Sequence, residues 1–254
     1  MNVTAHTAFR DVAVQSSNLG HEARLKELQQ RYHSAGAEEI IRAAITREFP
    51  GKIALVSSFG TESASLLHMV AEVDKSTPII FIDTGKLFGE TQRYREQLVN
   101  LLGFTDVRRI LPDPVDLKAR DPKGVLWSQN HDACCAVRKV EPLERALKGF
   151  DAWFTGRKAY QSSDRARLKL IEWEGGYFKI NPLVTMSRAE VEEYFNGHNL
   201  PRHPLEADGY LSVGCMPCTT RVAAGEDARA GRWRGSEKTE CGIHRPLEEI
   251  VPNC

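Results

Sequence analysis

With 254 residues, 41% of them hydrophobic, the chain can bury one full core, so a single domain with appendages is expected. Its 34 basic and 34 acidic side chains cancel, which leaves a nucleic-acid or general polyanion-binding role without support from net charge. No apolar stretch approaches the roughly 20 residues of a membrane span, and the opening MNVTAHTAFRDVAVQSS lacks the basic-then-apolar order of an export signal, so a cytoplasmic protein with no membrane attachment is expected.

Residues 21–49 carry apolar positions at helical spacing among charges and read as two amphipathic helices. They would form an N-terminal helical segment (1–50) packed on a core (51–200). The core opens with Ile53-Ala54-Leu55-Val56, an apolar run suited to a buried parallel strand, followed by a helix over 62–73. A second strand, Pro78-Ile79-Ile80-Phe81-Ile82, precedes a helix over 91–102. Further strands are expected near 107–111, in Ala152-Trp153-Phe154-Thr155 and around 177–180, with a last helix over 187–196. Strand alternating with helix predicts an α/β fold, with right-handed crossovers around a parallel sheet and a ligand crevice at the strands' carboxyl ends. The segment 201–254, rich in Gly, Pro and charge, reads as a mobile C-terminal arm.

Three segments fall at predicted strand ends. Ser57-Ser58-Phe59-Gly60-Thr61-Glu62-Ser63 lies between a strand and a helix, where free backbone N–H groups and the positive end of a helix dipole suit a phosphate or sulfate. An ordinary serine-capped turn would look the same, and the Gly-Lys-Ser/Thr ending of a Walker loop is missing. Asp83-Thr84-Gly85 repeats the placement after the second strand, and two such turns side by side favour a nucleotide crevice. Gly156-Arg157-Lys158 opens a basic stretch running through Arg165, Arg167 and Lys169 with Asp164 the only acid, either a solvated basic face or an anion clamp.

The cysteines divide into two kinds. Cys134-Cys135 and the Cys215-Met216-Pro217-Cys218 clip make a four-thiolate set. Both zinc and iron–sulfur clusters accept such a set, and the adjacency of the first pair, awkward around one tetrahedral ion, leans toward a cluster. Cys241 stands apart, with His244 three residues on, Lys238 just before it, and Arg229, Arg232 and Arg234 upstream. Cations raise a thiol's thiolate fraction, which is the condition for nucleophilic attack. The terminal Cys254 has no such setting and reads as a spare thiol.

Ser58-Phe59-Gly60-Thr61-Glu62-Ser63, Ile82-Asp83-Thr84-Gly85, the vicinal cysteines followed by Arg138-Lys139-Val140-Glu141-Pro142-Leu143, the Cys-Met-Pro-Cys clip and Glu240-Cys241-Gly242-Ile243-His244 together resemble the assimilatory sulfonucleotide reductases. The four extra cysteines resemble the iron–sulfur branch that reduces adenosine 5′-phosphosulfate (APS). The resemblance runs in order from about Leu55 to His244. It implies an adenine-nucleotide α-hydrolase-like fold related to ATP pyrophosphatases. It also implies one [4Fe–4S] cluster per subunit on Cys134, Cys135, Cys215 and Cys218, and reduced thioredoxin (or glutaredoxin) as donor to a homo-oligomeric enzyme. Cys241 would be the nucleophile, with Lys139 and His244 in catalytic roles. Residues 58–63 and 83–85 would hold the nucleotide, and Arg157, Arg229 and Arg232 its phosphosulfate. A reductase for the 3′-phosphorylated substrate (PAPS) and a zinc-stabilised nucleotide-binding module are the alternatives.

Overall fold

The computed structural model of the chain describes residues 20–244. Helix α1 runs through residue 31 and α2 covers Ala37–Ala43, continuing into a π-helical turn, Ala44–Glu48. Strand β1 (Ile53–Val56) leads to α3 (Ser63–Ala71), β2 (Ile79–Ile82) to α4 (Gly89–Leu102), and β3 (Val107–Ile110) to α5 (Pro114–Arg120). Short helices α6 (Leu126–Gln129), α7 (His131–Cys135) and α8 (Glu141–Leu147) follow, with a second π-turn, Ala136–Val140, between the last two. Then come β4 (Ala152–Phe154), β5 (Ile171–Glu174), β6 (Tyr177–Ile180) and α9 (Arg188–Gly197). No described helix is long and apolar enough to cross a membrane.

The sheet has the order β3-β2-β1-β4-β6-β5, parallel except for the β5–β6 hairpin. Alternation along each central strand feeds two layers. Ile53, Leu55, Ile79, Phe81, Ala152 and Phe154 enter the larger core with α3, α4 and α9, while Ala54, Val56, Ile80 and Trp153 face Leu143 and Leu147 of α8. Each such Val, Leu, Ile or Phe contributes about 1.5–3 kcal/mol by leaving water, so the central strands are fixed by burial on both faces. Chain order reverses between β1 and β4, and the crevice above that switch point is where a doubly wound sheet takes its ligand.

Strand β5 has no counterpart among the predicted elements. It pairs with β6 across Gly175-Gly176, whose φ values of 62° and 84° suit a tight two-residue hairpin that L-residues enter only with strain. Local chemistry sets several helix ends. Ser187 and Glu190 form a reciprocal capping box on α9, Asp113 caps α5 ahead of Pro114, and Gly103 closes α4 in the left-handed region with its N–H on the Val99 carbonyl.

The described part of the C-terminal arm lies across the strands' carboxyl ends. Thr61 Oγ1 donates to the Leu211 carbonyl (3.0 Å), the Met216 N–H to the Lys86 carbonyl (2.8 Å), and the Trp233 N–H to the Cys218 carbonyl (3.1 Å). Close approach requires glycine at position 231, where a Cβ would strike the Thr220 carbonyl, while at Gly214 a Cβ would displace the Arg232 guanidinium. Cys254 lies outside the described residues.

The N-terminal helices are tied to each other by the Glu48 carboxylate, whose side chain is 3% exposed. It accepts from Arg31 (3.0 Å) and Arg47 (3.1 Å), and also from Arg24 and Tyr32. Burial pushes its pKa up, but the hydrogen bonds from Tyr32, Arg31, Arg47 and Arg24 outweigh that and hold it at about 2. A depressed folded pKa stabilises above the unfolded value of 4.5, and that stabilisation is lost as pH falls toward 2. Glu48→Gln is therefore expected to cost about 1–3 kcal/mol at neutral pH, measured by urea unfolding. The gap to wild type should close on acidification, and a gap that does not depend on pH would contradict this role.

Candidate active site

The cleft above β1 and β4 is walled first by the loop 57–63. Phe59 takes φ of 49°, in the left-handed region, and its ring is fully buried, edge-on to Phe81 at 5.4 Å. Burial of that ring holds a conformation that is costly for a bulky residue. Phe59 is thus the loop's anchor in the core, while Ser58, Gly60, Thr61, Glu62 and Ser63 line the cleft. No side chain caps the start of α3, which leaves its N-terminal dipole facing this space. Glu62 is held by Tyr160 (2.7 Å), Gln161 (2.7 Å) and the buried Lys158 (3.1 Å).

Of the turn after β2, Thr84 reaches the cleft, whereas Asp83 and Gly85 do not line it. The buried Asp83 carboxylate accepts from the Gly85 N–H (3.0 Å), Gln92 (3.0 Å) and Arg109 Nε (2.8 Å), so it braces the turn. Thr84 Oγ1 lies 3.3 Å from Cys215 Sγ, and the Thr84 carbonyl accepts from Arg138 (2.9 Å), itself paired to buried Asp121 (2.6 Å).

Arg157, Arg229, Arg232, His244, Lys139 and Cys241 all line the same cleft. Arg157 is paired with Glu172 (2.5 Å), but Nε of Arg229, Nε of Arg232 and Nδ1 of His244 are buried with no hydrogen-bond partner. Burial and the neighbouring Arg165 push Arg229 down to about 10, against the pull of Glu240. Burial, then Arg157, Lys179, Arg165 and Arg229, hold His244 well below the usual imidazole range, so it is neutral at pH 7. Its ring stacks on Trp153 at 6.1 Å.

Cys241 is partly exposed, with Lys139 Nζ donating to its sulfur at 3.8 Å. The hydrogen bond with Cys135 pulls its pKa well down, burial opposes this, and Lys139 and Arg232 add to the pull. Cys135 is pushed up by that same contact and then by burial. Burial works against a charge on Lys139, but the sulfurs of Cys215, Cys241 and Cys135 outweigh it and raise its pKa.

Cys134, Cys135, Cys215 and Cys218 line one smaller cavity, with Trp127, Arg138 and Pro217 also in its wall. All four are free thiols, and no carboxylate lines the cavity. Among the described residues no group of His, Cys, Asp or Glu is drawn together tightly enough to hold a single metal ion. Four thiols with no carboxylate among them are a donor set that both zinc and iron–sulfur clusters accept. Lys139 and Trp233 line both cavities and form the wall between them.

Sequence reasoning did not single out Glu240, Gln161 or Trp233, and it noted Arg165 only as part of a basic stretch. All four line the cleft. The one local signal for Glu240 was its position next to Cys241.

The family profile described as "Phosphoadenosine phosphosulfate reductase domain" matches residues 52–221. A protein of Chelativorans sp. (strain BNC1) named "Adenosine 5'-phosphosulfate reductase" is 47% identical over 243 residues, 95% of this chain and 99% of its own length. One of the same name from Mesorhizobium japonicum is 52% identical over 206 residues, 81% of each chain. Among solved structures, a phosphoadenylyl-sulfate (PAPS) reductase from Candida auris in a phosphate complex superposes with TM-score 0.65 at 27% identity, over 77% of this chain and 96% of that one. Yeast FAD synthetase in complex with FAD shares the fold alone, with TM-score 0.50 at 14% identity over 73% of this chain and 66% of its own. Sheet order, cleft and relatives agree: the chain has the adenine-nucleotide α-hydrolase-like fold and belongs to the phosphoadenosine phosphosulfate reductase family.

Proposed function

We propose that the chain is a cytoplasmic, thioredoxin-dependent APS reductase that makes sulfite and AMP in assimilatory sulfate reduction toward cysteine. It would act as a homo-oligomer carrying one [4Fe–4S] cluster per subunit. The observation that carries this reading is the placement of the Cys241 thiol. It stands beside Lys139 at a cleft lined by Arg229 and Arg232, whose buried Nε–H donors have no partner, and by His244, whose buried Nδ1 has none. Such donors are costly in an empty apolar setting and favourable beside an oxyanion.

In this mechanism Ser58, residues 60–63 and Thr84 hold the nucleotide, with the start of α3 directed at its anionic part. The Cys241 thiolate attacks the sulfur of the sulfate group. The bond from that sulfur to the bridging oxygen breaks, and AMP leaves with the electron pair. The enzyme is left as an S-sulfocysteine. Arg229, Arg232 and Lys139 offset charge moving onto the departing phosphate, and neutral His244 supplies a hydrogen bond without adding repulsion among the arginines. Each well-placed donor can supply about 3 kcal/mol of transition-state stabilisation. A thioredoxin thiolate then attacks Cys241 Sγ and releases sulfite. Its second thiol resolves the mixed disulfide, so the dithiol supplies both electrons. Cys134, Cys135, Cys215 and Cys218 would hold the cluster, which when bound fixes four thiolates and their charge next to Lys139.

Preference for APS over PAPS is supported by relatives at 47% and 52% identity that carry the APS name, against 37% for a Gloeobacter violaceus protein named "Phosphoadenosine 5'-phosphosulfate reductase". Sulfite release with reduced thioredoxin, measured side by side, is expected to give a kcat/KM for APS at least about tenfold above that for PAPS. A reversed preference would move the enzyme to the PAPS branch. For the cluster, serine in place of any one of Cys134, Cys135, Cys215 or Cys218 is expected to bleach the visible absorbance of anaerobically purified protein and abolish turnover. Stoichiometric zinc without iron in the wild type would contradict the cluster and favour the zinc-stabilised module.

A further inference from the structure

Glu240 stands immediately before Cys241, and its carboxylate is bound by the cleft's own cations. Its Oε2 accepts from Arg165 Nε at 2.6 Å. Its Oε1 accepts from Arg165 Nη2 at 2.8 Å, Arg229 Nη2 at 3.1 Å and the Cys241 backbone N–H at 2.8 Å. The three side chains are 8%, 12% and 15% exposed for Arg165, Arg229 and Glu240, and all line the cleft. The third Arg165 nitrogen donates to Gln161, so each of its three nitrogens has a protein partner.

A carboxylate and the oxygens of a phosphate or sulfate are the same kind of partner for a guanidinium, flat, anionic and able to accept two parallel bonds. Donors spent on Glu240 are not available to a bound oxyanion, while Arg229 keeps an unpartnered Nε beside them. Among the other buried pairs, Arg138–Asp121 lies outside this cleft and Arg157–Glu172 faces it with Arg157 only, while Lys158–Glu62 lines it with both members but engages no guanidinium. The same Oε1 that receives Arg229 also receives the N–H of Cys241, so letting go of the arginines loosens the segment carrying the nucleophile.

We propose that Glu240 is an anion placeholder: its carboxylate competes with the phosphosulfate group of the nucleotide for Arg165 and Arg229, so that substrate entry and release of the Cys241 segment are one exchange. This rests on the nucleotide-binding function proposed above. No bond is made or broken in the exchange; one anion replaces another on two guanidiniums.

The test is calorimetric titration of the full-length holoenzyme with ADP, whose terminal phosphate stands in for the sulfate, and with AMP, which lacks it. Glu240→Gln should bind ADP about tenfold more tightly than wild type, with AMP changing by less than about threefold. Glu240→Asp, which keeps the charge, should return ADP affinity toward wild type. Alkylation of Cys241 by iodoacetamide, followed by peptide mass, should be accelerated by ADP in the wild type and already fast without ADP in Glu240→Gln. Unchanged or weaker ADP binding in both Glu240→Gln and Glu240→Ala, with wild-type thermal midpoints, would overturn the exchange. If those variants do not fold, the wild type decides: ADP that slows Cys241 alkylation or leaves it unchanged overturns the exchange. Wild-type protein that binds neither nucleotide would instead overturn the reading of the cleft itself, and the exchange with it.

Discussion

Arg157, Arg165, Arg229 and Arg232 are drawn together with Lys139 at the carboxyl ends of β1 and β4, and so much buried positive charge persists only where anions meet it. Glu172 neutralises Arg157, Glu240 bridges Arg165 and Arg229, and the Cys241 sulfur lies against Lys139. Burial first, and then the neighbouring cations, depress the pKa values of Arg229 and His244. The described part of the arm is anchored by Leu205, Val213 and Trp233, and its last stretch is held by Glu240 on Arg165 and Arg229, by Lys238 on Asp132, and by Ile243 and His244 packed against the core.

Two cavities share a wall, with sulfur on both sides of it. On one side Cys134, Cys135, Cys215 and Cys218 line one cavity, with Cys134 pushed up to about 11 and Cys218 raised, each chiefly by burial. On the other side Cys241 looks into the cleft. Lys139 belongs to both sides, reaching the Cys241 sulfur from a π-turn that follows the vicinal cysteines directly. Extra turns of this kind inside helices recur at functional sites, because they re-aim side chains that a regular helix would point elsewhere.

Much of the sheet was legible because β1 and β6 are written as plain apolar or alternating runs, Ile-Ala-Leu-Val and Tyr-Phe-Lys-Ile. Strand β5 was missed although Gly175-Gly176 marks its hairpin, since Ile-Glu-Trp-Glu alone is too short and too acidic to announce a strand. The short helices between residues 114 and 147 carry no sustained period and went unread. Motif residues were easier to find than to orient. Phe59 sits inside the loop motif, yet a left-handed backbone turns its ring into the core, and Asp83 turns back to brace its own turn. The Arg165–Glu240 pair joins residues 75 apart in sequence, which no local pattern reveals.

The division between ligand and nucleophile is tested most directly by peptide mass after incubation with APS in the absence of any dithiol donor. One sulfo group, about 80 Da, is expected on the peptide holding Cys241, by covalent bookkeeping. Cys241→Ser should form no adduct while keeping the wild-type visible chromophore. An adduct on Cys134, Cys135, Cys215, Cys218 or Cys254, or turnover in Cys241→Ser equal to wild type, would contradict the assignment of Cys241 as the sulfur-attacking thiolate.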